Sequence, residues 1–118
     1  MESMDELISS LVVELRRGTL VLSVLSQLHH PEYGYSLVQK LEEKNSIIEA
    51  GTLYPLLRRL EKQQLLTSRW DTTNSRPRKF YVISEQGKQV YQRLKHEWKG
   101  LAVQLEGLLE EDDLNDVH

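Results

Sequence analysis

The sequence predicts a mainly helical fold carrying one small β-hairpin, on three observations. Leucine, valine and isoleucine recur at threes and fours over most of the chain. That periodicity gives way to alternation only between Leu65 and Ser84. A stretch rich in Thr, Asn, Ser and Pro divides this interval in two. At 118 residues, with 39% hydrophobic and 28% charged side chains, the chain is expected to build a single core.

The elements follow in order. Leu7, Leu11, Leu15, Val21, Leu22, Leu25 and Leu28 define a first helical region that Gly18-Thr19 weakens, giving one bent helix or two. Pro31 ends it by disfavouring helix at the residue before it. Tyr33 to Glu43 is a short helix with Leu37, Val38 and Leu41 inward. Ile47-Ile48 suffices only for a bridge or extended entry. The next helix begins between Glu49 and Thr52 and runs to about Gln64, with Leu53, Leu56, Leu57 and Leu60 on one side. Pro55 is tolerable only near its first turn. Leu65 to Trp70 and Arg78 to Ser84 are the strands, and Asp71 to Pro77 the tip. Ser84 caps a last helix reaching about Glu110.

Three helices followed by a two-stranded hairpin is the order of a winged helix-turn-helix, here with a long helix appended. Residues 1–84 are the winged domain with an N-terminal helical extension, 85–111 the long helix, and 112–118 a frayed tail.

Charge distribution adds a functional signal that the net charge of −3 conceals. Met1–Gly51 carries four basic and eight acidic residues, and Thr52–Lys99 eleven and four. Gly100–His118 carries no Lys or Arg and six acids. A basic middle between acidic flanks is a patch suited to a polyanion. On a wheel, the leucines of the 52–64 helix leave Thr52, Arg58, Arg59 and Lys62 together on the opposite side. In the winged-helix order this helix enters the major groove, with Tyr54 and Thr52 near its start. The hairpin contributes Arg76, Arg78 and Lys79 around the stiffening Pro77, suited to phosphate or the minor groove. Either feature alone is common on solvated surfaces; both on neighbouring elements point to double-stranded DNA.

In the last helix Tyr91, Leu94, Trp98, Leu101, Leu105 and Leu108 are spaced as an a/d seam. The seam favours a homodimer, the alternative being packing on the first helix of the same chain. In a dimer Trp98 faces its twin, either as a closed indole pair or as a slot for a planar aromatic small molecule, a ligand site lined elsewhere being the third reading.

Other classes are excluded. No cysteine is present, which removes disulfides and thiolate chemistry. His29, His30, His96 and His118 lack metal-ligand spacing, and nucleotide-binding and hydrolase motifs are absent. No catalytic residue, metal or cofactor is expected, and no membrane span or secretory leader.

Four stretches in order carry a family resemblance. Gly51-Thr52-Leu53-Tyr54-Pro55-Leu56-Leu57-Arg58-Arg59-Leu60-Glu61-Lys62 resembles the recognition-helix signature of PadR-like transcriptional regulators. Leu15-Arg16-Arg17-Gly18-Thr19-Leu20 resembles the start of that family's first core helix. Gly34-Tyr35-Ser36-Leu37 resembles its second-helix element, and Arg78 to Gly87 its wing strand and following helix. The resemblance covers about residues 15 to 110. It implies a cytoplasmic, dimeric, sequence-specific DNA-binding regulator of bacteria or archaea, usually a repressor, reading a near-palindromic operator. At this length the chain is similar to the short form with one C-terminal helix, in some members of which a tryptophan at the position of Trp98 stacks planar drugs. Three departures are visible: residues 1–14 extend the N-terminus, Gln64 stands where a glycine commonly closes the recognition helix, and Ser84 replaces a common threonine. A winged-helix protein-interaction adaptor without DNA binding is the competing reading, and the basic face opposes it.

Overall fold

The computed structural model describes the backbone of residues 3–116 and the side chains of 3–111. Helices α1 (Met4–Arg17) and α2 (Leu20–Ser26) come first, followed by strand β1 (Glu32–Tyr33). Helices α3 (Gly34–Glu43) and α4 (Ala50–Lys62), strands β2 (Leu66–Asp71) and β3 (Arg78–Ile83), and helix α5 (Glu85–Asp116) complete the chain.

The first helical region is two helices. Gly18 caps α1, and both the amide and hydroxyl of Thr19 donate to the Arg16 carbonyl (3.0 and 2.9 Å). These bonds end the α1 ladder, and α2 restarts one turn later. The unforeseen element is β1. Glu32 and Tyr33 pair with Tyr81 and Phe80, so the antiparallel sheet has three strands in the order β1-β3-β2. Two residues show no periodicity; β1 exists because β3 offers a free edge. Ile47-Ile48, by contrast, forms no strand. The last helix continues past Glu110 to Asp116, through most of the segment expected to fray; Val117 and His118 lie outside the described residues.

The core joins α2, α3, α4 and the sheet. Val24, Leu25, Leu37, Leu53, Leu57 and Leu60 are among its most deeply buried side chains. The leucine stripe of α4 is inward as its spacing requires. Helix α1, with no buried residue, stands outside this core.

The end of α4 turns as a Schellman motif. Leu65 N–H donates to Leu60 O and Gln64 N–H to Glu61 O, both at 2.9 Å. Gln64 takes the left-handed conformation (φ 64°) that a glycine would adopt without steric cost. The turn keeps its geometry although the residue differs. Ser84 then fastens α5 to it, donating from Oγ to Gln64 O (2.7 Å) and accepting from Gly87 N–H (2.9 Å). This is the N-cap that the sequence indicates, with a second bond across to the α4 turn.

Candidate nucleic-acid interface

Helix α4 presents Thr52, Pro55, Arg58, Arg59 and Lys62 to solvent while its leucines hold it to the core. It begins at Ala50, so Pro55 lies in the second turn rather than the first. The proline leaves the Gly51 carbonyl without its helical donor. Both residues are exposed, where water can satisfy that oxygen.

Tyr54 is placed differently from its neighbours. It is half buried and packs over α3: a Cβ on Gly34 would lie 2.9 Å from Tyr54 Cζ. Gly34 is therefore glycine so that the Tyr54 ring can cross the first turn of α3. The ring packs between the two helices, in addition to standing near the start of the exposed face.

The wing divides the three cations assigned to it. Arg76 is exposed in the tip. Arg78 is exposed too, but its guanidinium lies over the Tyr33 ring, 4.7 Å from the centroid. Lys79 points back into the domain. Its Nζ donates to Glu61 Oε1 at 3.0 Å and sits over the Tyr81 ring. Glu61 also accepts from Ser68 Oγ. One carboxylate of α4 thus holds both wing strands. The Ser68 bond and then the Lys79 ammonium keep Glu61 below its ordinary pKa, and Glu61 in turn raises that of Lys79. Lys79 is a tether between wing and helix.

A second tether holds the wing's outer end. Tyr33 Oη donates to Asp71 Oδ2, and Asp71 Oδ1 accepts from the amide and hydroxyl of Thr73 (3.1 and 2.7 Å). The Tyr33 bond first, and the Thr73 bonds after it, hold Asp71 down to about 2. The same bond raises Tyr33, which keeps its proton. The Tyr33 ring meets Phe80 edge-on at 5.8 Å. Sequence reasoning found neither Glu61–Lys79 nor Tyr33–Asp71, because partners 18 and 38 residues apart carry no local spacing signal.

The seam of α5 also divides. Tyr91 and Leu94 are half buried against the core of their own chain, where Tyr91 meets His29 edge-on at 5.2 Å. From Trp98 onward the seam is uncovered: Trp98 is 47% exposed, Leu101 61%, Leu105 50% and Leu108 63%. Among the described residues no metal-binding group of His, Cys, Asp or Glu occurs, and no helix is long and apolar enough to cross a membrane.

A helix held by its leucines with its cations outward, braced against a hairpin with an arginine at its tip, defines a winged helix-turn-helix protein. Residues 21–93 match the Transcriptional regulator PadR-like family, and the chain belongs to that family, whose members regulate transcription rather than catalyse reactions. It is similar to a PadR family transcriptional regulator from Eggerthella lenta DSM 2243, at 51% identity and TM-score 0.86 over 90% of this chain and 95% of that one. It is also similar to a PadR-like transcription factor from Bacteroides fragilis, at 34% identity and TM-score 0.70 over 84% and 98% of the two chains. The fold recurs in Bacillus subtilis PadR, solved in complex with operator DNA, at 22% identity and TM-score 0.59, over 68% of this chain and 45% of that one.

Proposed function

We propose that this regulator is a homodimeric, sequence-specific DNA-binding repressor. The observation that carries the DNA-binding reading is the α4 face, where Thr52, Arg58, Arg59 and Lys62 are all exposed on a helix anchored from behind. Arg58, Arg59 and Lys62 enter the major groove. Thr52 and Tyr54 stand at the helix start toward phosphate, Arg76 and Arg78 meet the flanking backbone, and Lys79 sets the wing's position. A Bacillus subtilis protein of the same fold, solved in complex with operator DNA, supports the DNA-binding reading. A protein-interaction adaptor would have no need of an exposed cationic groove face.

The dimer rests on uncovered apolar surface. Leu7, Ile8, Leu11 and Leu15 of α1 are exposed, as are Leu101, Leu105 and Leu108 of α5. The radius of gyration is 18.0 Å, against about 13–14 Å for a compact chain of this length. Two projecting helices with bare apolar faces are explained by a second copy that covers both.

The test is a gel shift on the duplex upstream of the protein's own gene. Wild type is expected to shift it in a salt-dependent way, and Arg59→Ala to lose about 1–3 kcal/mol of preference at one base position. An Arg59→Ala protein with unchanged affinity on every base variant of that site would remove α4 from the groove.

Trp98 has two uses in such a dimer. It closes the interface as an indole pair, or it lines a gap whose planar aromatic ligand favours a dimer mismatched to DNA. Quenching of emission by planar cationic dyes, abolished in Trp98→Ala, assigns the slot. Unchanged emission across a panel of such dyes assigns the closed pair.

A further inference from the structure

The net-acidic first half of the chain contains two arginines that the fold carries to the cationic face. Arg16 and Arg17 end α1, and both are exposed. Arg17 lines one groove together with Thr52, Pro55 and Arg59 of α4. Arg16 and Arg17 line the adjoining groove, which Thr52 also borders. Glu49 is the one acidic side chain along these two grooves. Among the described residues neither arginine has an ion-pair partner, whereas the wing's Lys79 is held by Glu61. The break at Gly18-Thr19 ends α1 beside the recognition helix, so that both arginines share a groove with Thr52. Both arginines line a groove with Thr52, and Arg17 lines a second with Arg59, so together they extend the positive field beyond the recognition helix.

We infer that Arg16 and Arg17 form a further backbone clamp, gripping DNA phosphates beside α4. This rests on the DNA-binding reading above. Its consequence is a footprint extended on the α1 side of each recognition helix. The arginines contact no base edge, so they add affinity and salt dependence without sequence preference.

The alternative is that two cations in the last turn of α1 only offset its helix dipole. That role would move thermal stability and leave the salt dependence of DNA binding alone.

The experiment measures affinity of the full chain for its upstream duplex by fluorescence anisotropy across a salt series. Wild type is compared with the Arg16→Ala/Arg17→Ala pair, the Arg16→Lys/Arg17→Lys pair and Arg76→Ala. The alanine pair is expected to lower the slope of log K against log salt by about two, with base preferences unchanged. The lysine pair is expected to keep the wild-type slope, since a phosphate clamp needs the charge. A wild-type slope in the alanine pair, or the same loss in the lysine pair, overturns the inference. If Arg76→Ala lowers the slope by about one while the alanine pair does not, the clamp falls and the DNA-binding reading stands. If wild type fails to bind at all, that reading falls as well.

Discussion

Replacing Gly87 by alanine is expected to destabilise the protein by about 3 kcal/mol or more, by forcing atoms into backbone that cannot yield. The first turn of α5 lies directly on the α4–β2 turn. A Cβ at position 87 would stand 3.0 Å from the Leu65 carbonyl carbon and closer still to its oxygen. Ile83 Cγ1 would be 2.8 Å away, on a buried β-branched side chain that can shift only a little. The Leu65 carbonyl cannot move, because it accepts from Ser84 N–H at 3.0 Å, and Ser84 is itself bonded to Gln64 and Gly87. Separating α5 from Leu65 breaks that set of bonds and lifts Val90, Tyr91 and Leu94 from the core. The expected fall in Tm is ~10 °C or more. Gly18→Ala is the control. Nothing lies within 4 Å of a Cβ there and φ is −68°, so alanine is expected to be neutral or to stabilise by about 0.5–1 kcal/mol. Thermal melts of the two variants decide. A Gly87→Ala protein that melts with wild type would mean that α5 does not rest on the α4 turn.

The double substitution Leu101→Glu/Leu105→Glu is expected to abolish the dimer while leaving the winged domain folded. Both leucines are more than half uncovered or at that limit in the single chain, 61% and 50%, so the monomer bears little cost from the change. In the dimer each copy would bury two carboxylates without partners, at about several kcal/mol per charge. Four such charges exceed what a two-helix seam supplies. Sedimentation is expected to give a monomer and circular dichroism a retained helical core, since Leu25, Leu37, Leu53 and Leu57 are untouched and fully buried. A stable dimer of the double mutant would move the interface off α5. Leu94 is the wrong position for this test: it packs against its own chain's core, so a charge there would damage the fold as well.

How far the sequence could be read follows from the range of each interaction. The leucine stripe at 53, 56, 57 and 60 and the hairpin strands repeat within a few residues, and both elements lie within two residues of the expected bounds. The Ser84 cap is local as well. Gly34 was visible only as part of a family pattern; its reason, the Tyr54 ring twenty positions away, is a tertiary contact. The a/d spacing in α5 is real but continuous, and nothing in it marks where Tyr91 and Leu94 stop serving their own chain and Trp98 begins the uncovered face. The same limit hid the Glu61 partner of Lys79. Beside Arg76 and Arg78 it reads as one more wing cation, and only the fold brings Glu61 within 3.0 Å of it. Arg16 and Arg17 were hidden by averaging, since they lie in a segment whose acids outnumber its bases.

Hydroxyl-radical footprinting on the upstream duplex tests the dimeric groove reader most directly. Two protected windows are expected, related by a two-fold axis, with centres about one helical turn apart, roughly 10–10.5 base pairs. A single window at every protein concentration, or an unprotected duplex at low salt, would contradict a two-fold dimer that places one α4 in each of two successive major grooves.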